Sequence, residues 1–296
     1  MAGSSLPRLP KTMEFAYSLV QLANGTASIR SLAEGETFHP VIGPVAEAEA
    51  LYVRQLRLAE RMAASTDPEW VVWDVGLGSA ANVTTALRHL GGIPGRLRIV
   101  SFDHTLEPLR FAQDHARELG YPQGFEAPIG ELLDRQRVEF THGRLAVTWQ
   151  AEVADFPGRI LSDAPLPAPH AIFYDAYSPA RNAAMWTLPL FRRIFERLDR
   201  GRPCALATYS RATLLRTTLL RAGFWVGTGE ATGEKEETTL AANSPSLIPQ
   251  PLGDAWLGRA LRSTSAEPLA DGTYRQAPLS EASQTVLRNH PQFRRE

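Results

Sequence analysis

The stretch from Trp70 to Leu90 constrains the fold of this chain more than any other. Residues 70–75 are a short apolar run of β-branched and aromatic side chains, the pattern of a buried strand. Gly76-x-Gly78 follows, where the backbone can turn sharply and approach a ligand with no Cβ in the way. Ser79 stands where a helix N-cap is expected, and Ala80, Val83, Leu87 and Leu90 then recur at helical spacing. Strand, glycine turn and helix together form the opening βα unit of a nucleotide-binding α/β fold, with amides and a helix N-terminus facing the ligand.

Two ligand classes use this geometry. Gly76-x-Gly78-x-x-Ala81 fits the dinucleotide fingerprint with Ala in the third place. Asp74 argues the other way, because a carboxylate two residues before the first glycine repels a pyrophosphate. It suits a cationic ligand instead, such as the ammonium of S-adenosylmethionine. An ordinary strand-turn-helix without a ligand is the third reading of the stretch.

Bulk properties narrow the class. The formal net charge is −1, which excludes a generally basic coat for nucleic acid but leaves a local basic face open. Lys11 and Lys235 are the only lysines, so the positive charge is nearly all arginine. A single cysteine, Cys204, excludes an internal disulfide and a cysteine-based metal cage; within its apolar strand it reads as a small core residue. No metal ligand set is expected, no long apolar run suggests a membrane span, and the first residues lack the pattern of a signal peptide. A cytoplasmic location is the expectation. The composition says nothing about oligomeric state.

Three regions are expected. Residues 1–65 read as a loose tail, a hairpin turning at Asn24-Gly25 and a helix over 45–64, together an N-terminal appendage. Residues 66–243 carry the nucleotide-binding domain, and 244–296, rich in Pro, Ser and Gly, form a partly loose extension with a short helix over 256–261 and a mobile end from Arg288. His39, alone in a loop, reads as structural or solvated rather than as a site residue.

Within the central region a second strand over 97–102 closes on Asp103, where a nucleoside-binding fold places a carboxylate for the ribose hydroxyls. Capping of the helix over 106–119 is the competing role. Residues 131–138 read as a short helix and 145–149 as a third strand, beyond which Glu152 and Asp155 stand where an acidic group reaches an adenine amino group. A buried strand over 171–174 then ends in Asp175 and a Ser178-Pro179 turn. The carboxyl ends of parallel strands form the ligand crevice, so Asp175 is expected to point into it. Tyr177 offers a flat face to a planar substrate, whereas Trp186 is expected beneath the helix over 188–197. A fifth strand over 203–209, a helix over 211–222 and two closing strands, 224–227 and 237–242, complete the order. Two final strands with no helix between them favour the methyltransferase version of the doubly wound, Rossmann-like α/β sheet.

With these residues in place, the chain resembles the MnmC-like methyltransferases, which act on the modified wobble uridine of certain transfer RNAs. The match is carried by Phe173-Tyr-Asp175-Ala-Tyr177-Ser-Pro179-Ala-Arg181-Asn182-x-x-Met185-Trp186, then Leu190-Phe191, the Leu206-Ala-Thr-Tyr209 strand and Gly223-Phe224. The family pattern there is Asp-Gly-Phe-(Ser/Ala)-Pro-Ala-Lys-Asn-Pro-x-Met-Trp, then Leu-Phe and a Thr-(Phe/Tyr) strand. The family's Gly-Phe-Gly-Thr-Gly-x-Asn loop is here Gly76-Leu-Gly78-Ser-Ala-Ala-Asn82, Asp103 replaces a common Glu, and Gly233-Glu-Lys-Glu236-Glu replaces a basic run. The resemblance implies S-adenosylmethionine as cofactor, held by Asp74, Gly76, Gly78, Asn82, Asp103 and Asp155. It implies Asp175 as the catalytic carboxylate with Tyr177 beside it, and tRNA as partner. It also implies a stand-alone methyltransferase without the flavin-dependent oxidase domain of bifunctional members.

The chemistry so implied is methyl transfer to an amine, for which the protein holds the reactants at attack distance and excludes water. A carboxylate that accepts the amine hydrogens orients the lone pair or takes a proton. A small-molecule amine methyltransferase on the same fold, an NAD-dependent oxidoreductase and a non-catalytic nucleotide-binding protein are the rival readings. Loss of the basic run near 233–236 weighs against tRNA and toward the first rival.

Overall fold

The computed structural model describes residues 16–232 and 236–294. The N-terminal tail expected before Met13 lies outside them, as do Gly233, Glu234 and Lys235 of the closing turn. Ten strands follow in chain order: β1 (Tyr17–Gln21), β2 (Ala27–Ser31), β3 (Trp70–Val75), β4 (Gly95–Asp103) and β5 (Arg137–His142), then β6 (Leu145–Val153), β7 (Ala171–Tyr174), β8 (Ala205–Thr208), β9 (Trp225–Gly229) and β10 (Thr238–Ala242). β1 and β2 form a separate antiparallel hairpin. The other eight form one sheet in the order β5-β6-β4-β3-β7-β8-β10-β9.

β6, β4, β3, β7 and β8 run parallel, and β5, β10 and β9 close the two edges antiparallel. The chain leaves β3 toward β4 and β6, then returns to β7 on its other side. That reversal puts the ligand crevice above the carboxyl ends of β3 and β7.

Alternation along β3 sorts the core. Val71, Trp73 and Val75 pack with Trp186, Phe191 and the helices Leu188–Glu196 and Thr213–Ala222 on one face. Trp70 and Val72 pack with Leu51, Tyr52 and the helix Ala81–Leu90 on the other. Both faces of a central parallel strand are covered, which is why its sequence is apolar throughout rather than alternating. Cys204 is 1% exposed, and burial pushes its thiol up to about 12, as suits a core residue. Among the described residues no helix is long and apolar enough to cross a membrane.

Several elements differ from the sequence expectations. The N-cap expected at Ser79 falls on Ala80, which is left-handed at φ 63° and offers no side-chain cap. Residues 131–138 split between the helix Glu126–Arg135 and β5, because Gln136 turns left-handed and ends the helix one residue before the strand. The single helix expected over 45–64 is three pieces. Pro44–Ala48 runs into a π-helical turn, Glu49–Arg54, closed by a bond from the Gln55 amide to the Ala50 carbonyl; a left-handed Arg57 then separates Leu58–Ala63.

The end of the chain, expected to be mobile from Arg288, is pinned through residue 293. Gln292 accepts from the Val226 amide at 2.8 Å and donates to the Val226 and Leu252 carbonyls at 2.7 and 2.9 Å. Its side-chain amide stands in for a strand neighbour at the exposed edge of β9. Trp256, Leu257 and Leu287 of the last helices belong to the same core as the sheet.

Candidate functional site

A cavity of about 670 Å³ lies over the carboxyl ends of β3, β4 and β7, within the size range of small-molecule sites. Its floor is the Gly76–Gly78 turn. A Cβ on Gly76 would stand 2.6 Å from the Asp175 carbonyl oxygen, and φ there is 93°. The turn after β3 and the turn after β7 therefore touch backbone to backbone, which only glycine permits. At Gly78, φ is 49° and the nearest atom to a Cβ is on Phe38, 3.5 Å away across the cavity. Gly76 joins the two walls; Gly78 opens the space between them.

Gly76→Ala is accordingly expected to destabilise the fold by more than the ~1–2 kcal/mol of a left-handed L-residue. A urea melt checks this, and an unchanged midpoint would refute the backbone contact.

Asp103, at the end of β4, is held by the loop amides it faces. Its Oδ2 accepts from the Gly78 amide at 2.9 Å and its Oδ1 from the His104 amide at 2.8 Å. Asp103 thus fixes the glycine turn while its carboxylate borders the cavity. Asp155 also borders it and caps the helix Phe156–Leu161, accepting from the Gly158 amide. Glu152 does not; it pairs with Arg159 at 3.1 Å and with Gln150 at 2.8 Å.

Asp175 enters the cavity from the end of β7, as the strand-end argument expects. Its Oδ2 accepts from Asn82 Nδ2 at 2.8 Å, and burial is the main cause that raises its carboxyl above the usual range. Asn82 comes from the first turn of the helix after the glycines. Its other amide atom, Oδ1, is buried with no hydrogen-bond partner. Tyr177 borders the cavity and packs on Phe38, with ring centres 6.3 Å apart. Trp186 is fully buried and donates its indole N–H to the Tyr177 carbonyl at 2.7 Å, so it props the loop from below.

Asp74 departs from its expected place. It shares the face of Trp70 and Val72, is 1% exposed and is absent from the cavity wall. Its Oδ2 accepts from Ser101 Oγ at 2.7 Å, while Oδ1 has no hydrogen-bond partner. A direct contact with a ligand ammonium is not what this position offers, because alternation in β3 turns the side chain beneath the glycine turn.

The sequence reading missed the roof. The segment after β2 contributes Glu34, Glu36, Phe38 and His39 to the wall, and the helix Pro44–Ala48 contributes Glu47. His39 is left-handed at φ 48° and its side chain is only 10% exposed. An ion pair at 3.3 Å between Glu36 and Arg181 ties this roof to the loop after β7. The wall holds six carboxylates, Glu34, Glu36, Glu47, Asp103, Asp155 and Asp175, against one arginine, Arg181. That balance suits a cationic ligand and disfavours a pyrophosphate. Among the described residues no group of three or more His, Cys, Asp or Glu side chains is arranged to hold a metal ion.

The geometry fits a sulfonium nucleotide: a glycine turn that admits close approach, a carboxylate at the end of β4, and buried acceptors left unpaired on Asp74 and Asn82. Residues 130–244 match a family model described as S-adenosyl-L-methionine-dependent methyltransferase. The crystal structure of MnmC2 from Aquifex aeolicus is similar with a TM-score of 0.66 and 25% identity, over 94% of this chain and 85% of that one. The protein is an S-adenosylmethionine-dependent methyltransferase on a Rossmann-like sheet.

Two curated relatives refine the class. The chain is 28% identical over 243 residues to the tRNA 5-methylaminomethyl-2-thiouridine biosynthesis bifunctional protein MnmC of Stutzerimonas stutzeri, and 26% identical over 243 residues to that of Aeromonas hydrophila. These alignments cover 77% and 76% of the chain, and 35% of each relative's length. The methyltransferase is of the MnmC type.

Proposed function

We propose that this methyltransferase acts on an amine nitrogen, and that the amine is carried by a modified wobble uridine of tRNA. The observation that supports N-methylation most is a convergence of hydrogen-bond acceptors. The Asp175 carboxylate and the unpaired Asn82 Oδ1 border the same cavity. An amine brings N–H donors, and acceptors are what a site for it requires. Because Asn82 Nδ2 is committed to the carboxylate, its Oδ1 is the atom left for the acceptor.

S-adenosylmethionine supplies a methyl group activated by a sulfonium. Of this chain's residues, Gly76, Gly78 and Asn82 would lie along it, Asp103 would take the ribose hydroxyls, and Asp155 would reach the adenine side. Asp175 holds the amine so that its lone pair faces the methyl, and Tyr177 lines the acceptor's path. The relatives' names supply the tRNA part of the reading. A small cationic amine is the second reading, favoured by six wall carboxylates where an RNA phosphate would be repelled.

The test is labelling of tRNA from cells lacking the modification, beside free 5-aminomethyl-2-thiouridine and small amines, across a salt series. The tRNA reading expects label in tRNA, declining as salt rises. Label in small amines but never in tRNA selects the second reading. Label in neither refutes amine transfer. We further place the protein in the cytoplasm, where tRNA is available.

Asp103→Ala removes charge-assisted bonds to the ribose, and it also strips the Gly78 amide of its partner. Cofactor binding is expected to weaken by ~1.5–3 kcal/mol in a calorimetric titration with S-adenosylmethionine. Unchanged affinity would remove Asp103 from the cofactor site.

A further inference from the structure

We infer that His39 is the base that takes a proton from the acceptor amine while Asp175 orients it. This rests on the amine reading above. An amine reaches the site at neutral pH chiefly as an ammonium, which has no lone pair to offer, and a proton must leave before it can attack.

His39 is built for that task by three elements distant in sequence. Its Nε2 stands 3.8 Å from Asp175 Oδ2, and its Nδ1 stands 3.8 Å from Glu47 Oε2. Both gaps exceed a direct hydrogen bond, but a nitrogen at ~2.8–3.0 Å from each of Nε2 and Oδ2 spans the first of them. Glu47, on the helix Pro44–Ala48, is 7% exposed and faces Nδ1. A carboxylate on that side favours the tautomer with the proton on Nδ1, which leaves the Nε2 lone pair toward the cavity. The left-handed backbone at His39 is rare for a non-glycine residue, and such conformations persist where the surroundings over-determine them.

The transfer balances without any further reactant. One amine N–H bond breaks, its electron pair stays on the amine nitrogen, and the proton forms a bond to Nε2. The imidazolium then lies between the Asp175 and Glu47 carboxylates. Tyr52, Tyr209 and Asp74 are the other titratable groups facing this cluster, the two tyrosines held neutral by burial.

The experiment pairs kinetics with NMR on the full chain. His39→Asn suits a left-handed position and cannot take the proton; Glu47→Gln keeps shape and removes charge. The probe is 5-aminomethyl-2-thiouridine, free and within an anticodon stem-loop, in single turnover from pH 6 to 10 at saturating S-adenosylmethionine. At pH 7, His39→Asn is expected to be slower by ~10²-fold, with the deficit shrinking as pH rises and the free amine becomes abundant. In wild-type protein without cofactor, the His39 ring signals are expected to titrate at a pH that falls when Glu47 becomes Gln.

A His39→Asn rate equal to wild type, or reduced equally at every pH, overturns the assignment, as does a His39 titration that Glu47→Gln leaves unmoved. Wild-type protein that methylates neither form of the probe overturns the amine reading, and the role of His39 with it.

Discussion

Asp175→Asn is expected to fold and bind cofactor as the parent does while losing turnover by roughly 10²-fold or more, the scale of general acid–base help. Asn keeps the shape and one acceptor oxygen but gives up charge and basicity. The competing role, a cap for the Ser178-Pro179 turn, predicts near-silence for Asn and a lower melting temperature for Ala. The hydrogen bonds favour the first role. The turn is closed by the Arg181 and Asn182 amides on the Ser178 carbonyl, and the Asp175 carboxylate is bonded to Asn82 across the cavity. Single-turnover methyl transfer at saturating cofactor, beside a thermal melt of the Asn and Ala variants, decides between them. An Asn variant with unchanged rate would remove Asp175 from the chemistry.

Asp74→Asn is expected to change stability in a pH-dependent way. Burial pushes the Asp74 carboxyl from 3.8 to about 8, against the Ser101 hydrogen bond and assisted by the charges of Asp175 and Asp103. The folded-state value lies above the unfolded one, so the stabilising contribution is full below pH ~4 and is lost as pH rises through about 8. Between those limits the parent loses up to ~1.4 kcal/mol per pH unit from this group, and Asn, which cannot ionise, does not. The variant should match the parent at pH 5 and exceed it at pH 9 by on the order of 3–5 kcal/mol. Denaturation midpoints of both proteins at pH 5, 7 and 9 measure the difference, in which every other titrating group cancels. Parallel pH curves would mean that the carboxylate is hydrated in the folded protein.

The two strongest local signals in the sequence carried the central architecture. The run from Trp70 to Leu90 reads as strand, glycine turn and helix because each part is specified within a few residues, and β3, the turn and the helix Ala81–Leu90 form there. Asp175 was legible for the same reason, as a carboxylate at the end of an apolar strand. Asp74 was legible as buried but not in its direction, since a strand with both faces covered gives no alternation to read. His39 and Glu47 were not legible at all. Their meaning comes from Asp175, well over a hundred positions away, and no local periodicity encodes that proximity. Gln292 escaped notice likewise, because a lone glutamine in a polar tail gives no sign of the open strand edge it closes.

The π-helical turn at Glu49–Arg54 has a history written in its geometry. It holds one residue more than an α-helix needs for the same climb, and such turns arise by single insertions into regular helices. Removing that residue would make a better helix and a worse protein. Every side chain past the deletion would swing by about 100° around the axis. Gln55, which accepts from the Glu230 amide and the Thr238 hydroxyl at 2.8 and 3.0 Å, would then turn away from the β9–β10 hairpin it secures. A shorter ancestor would have had to anchor that hairpin by other means, so the inserted residue and the anchoring glutamine are a pair that sequence drift cannot separate.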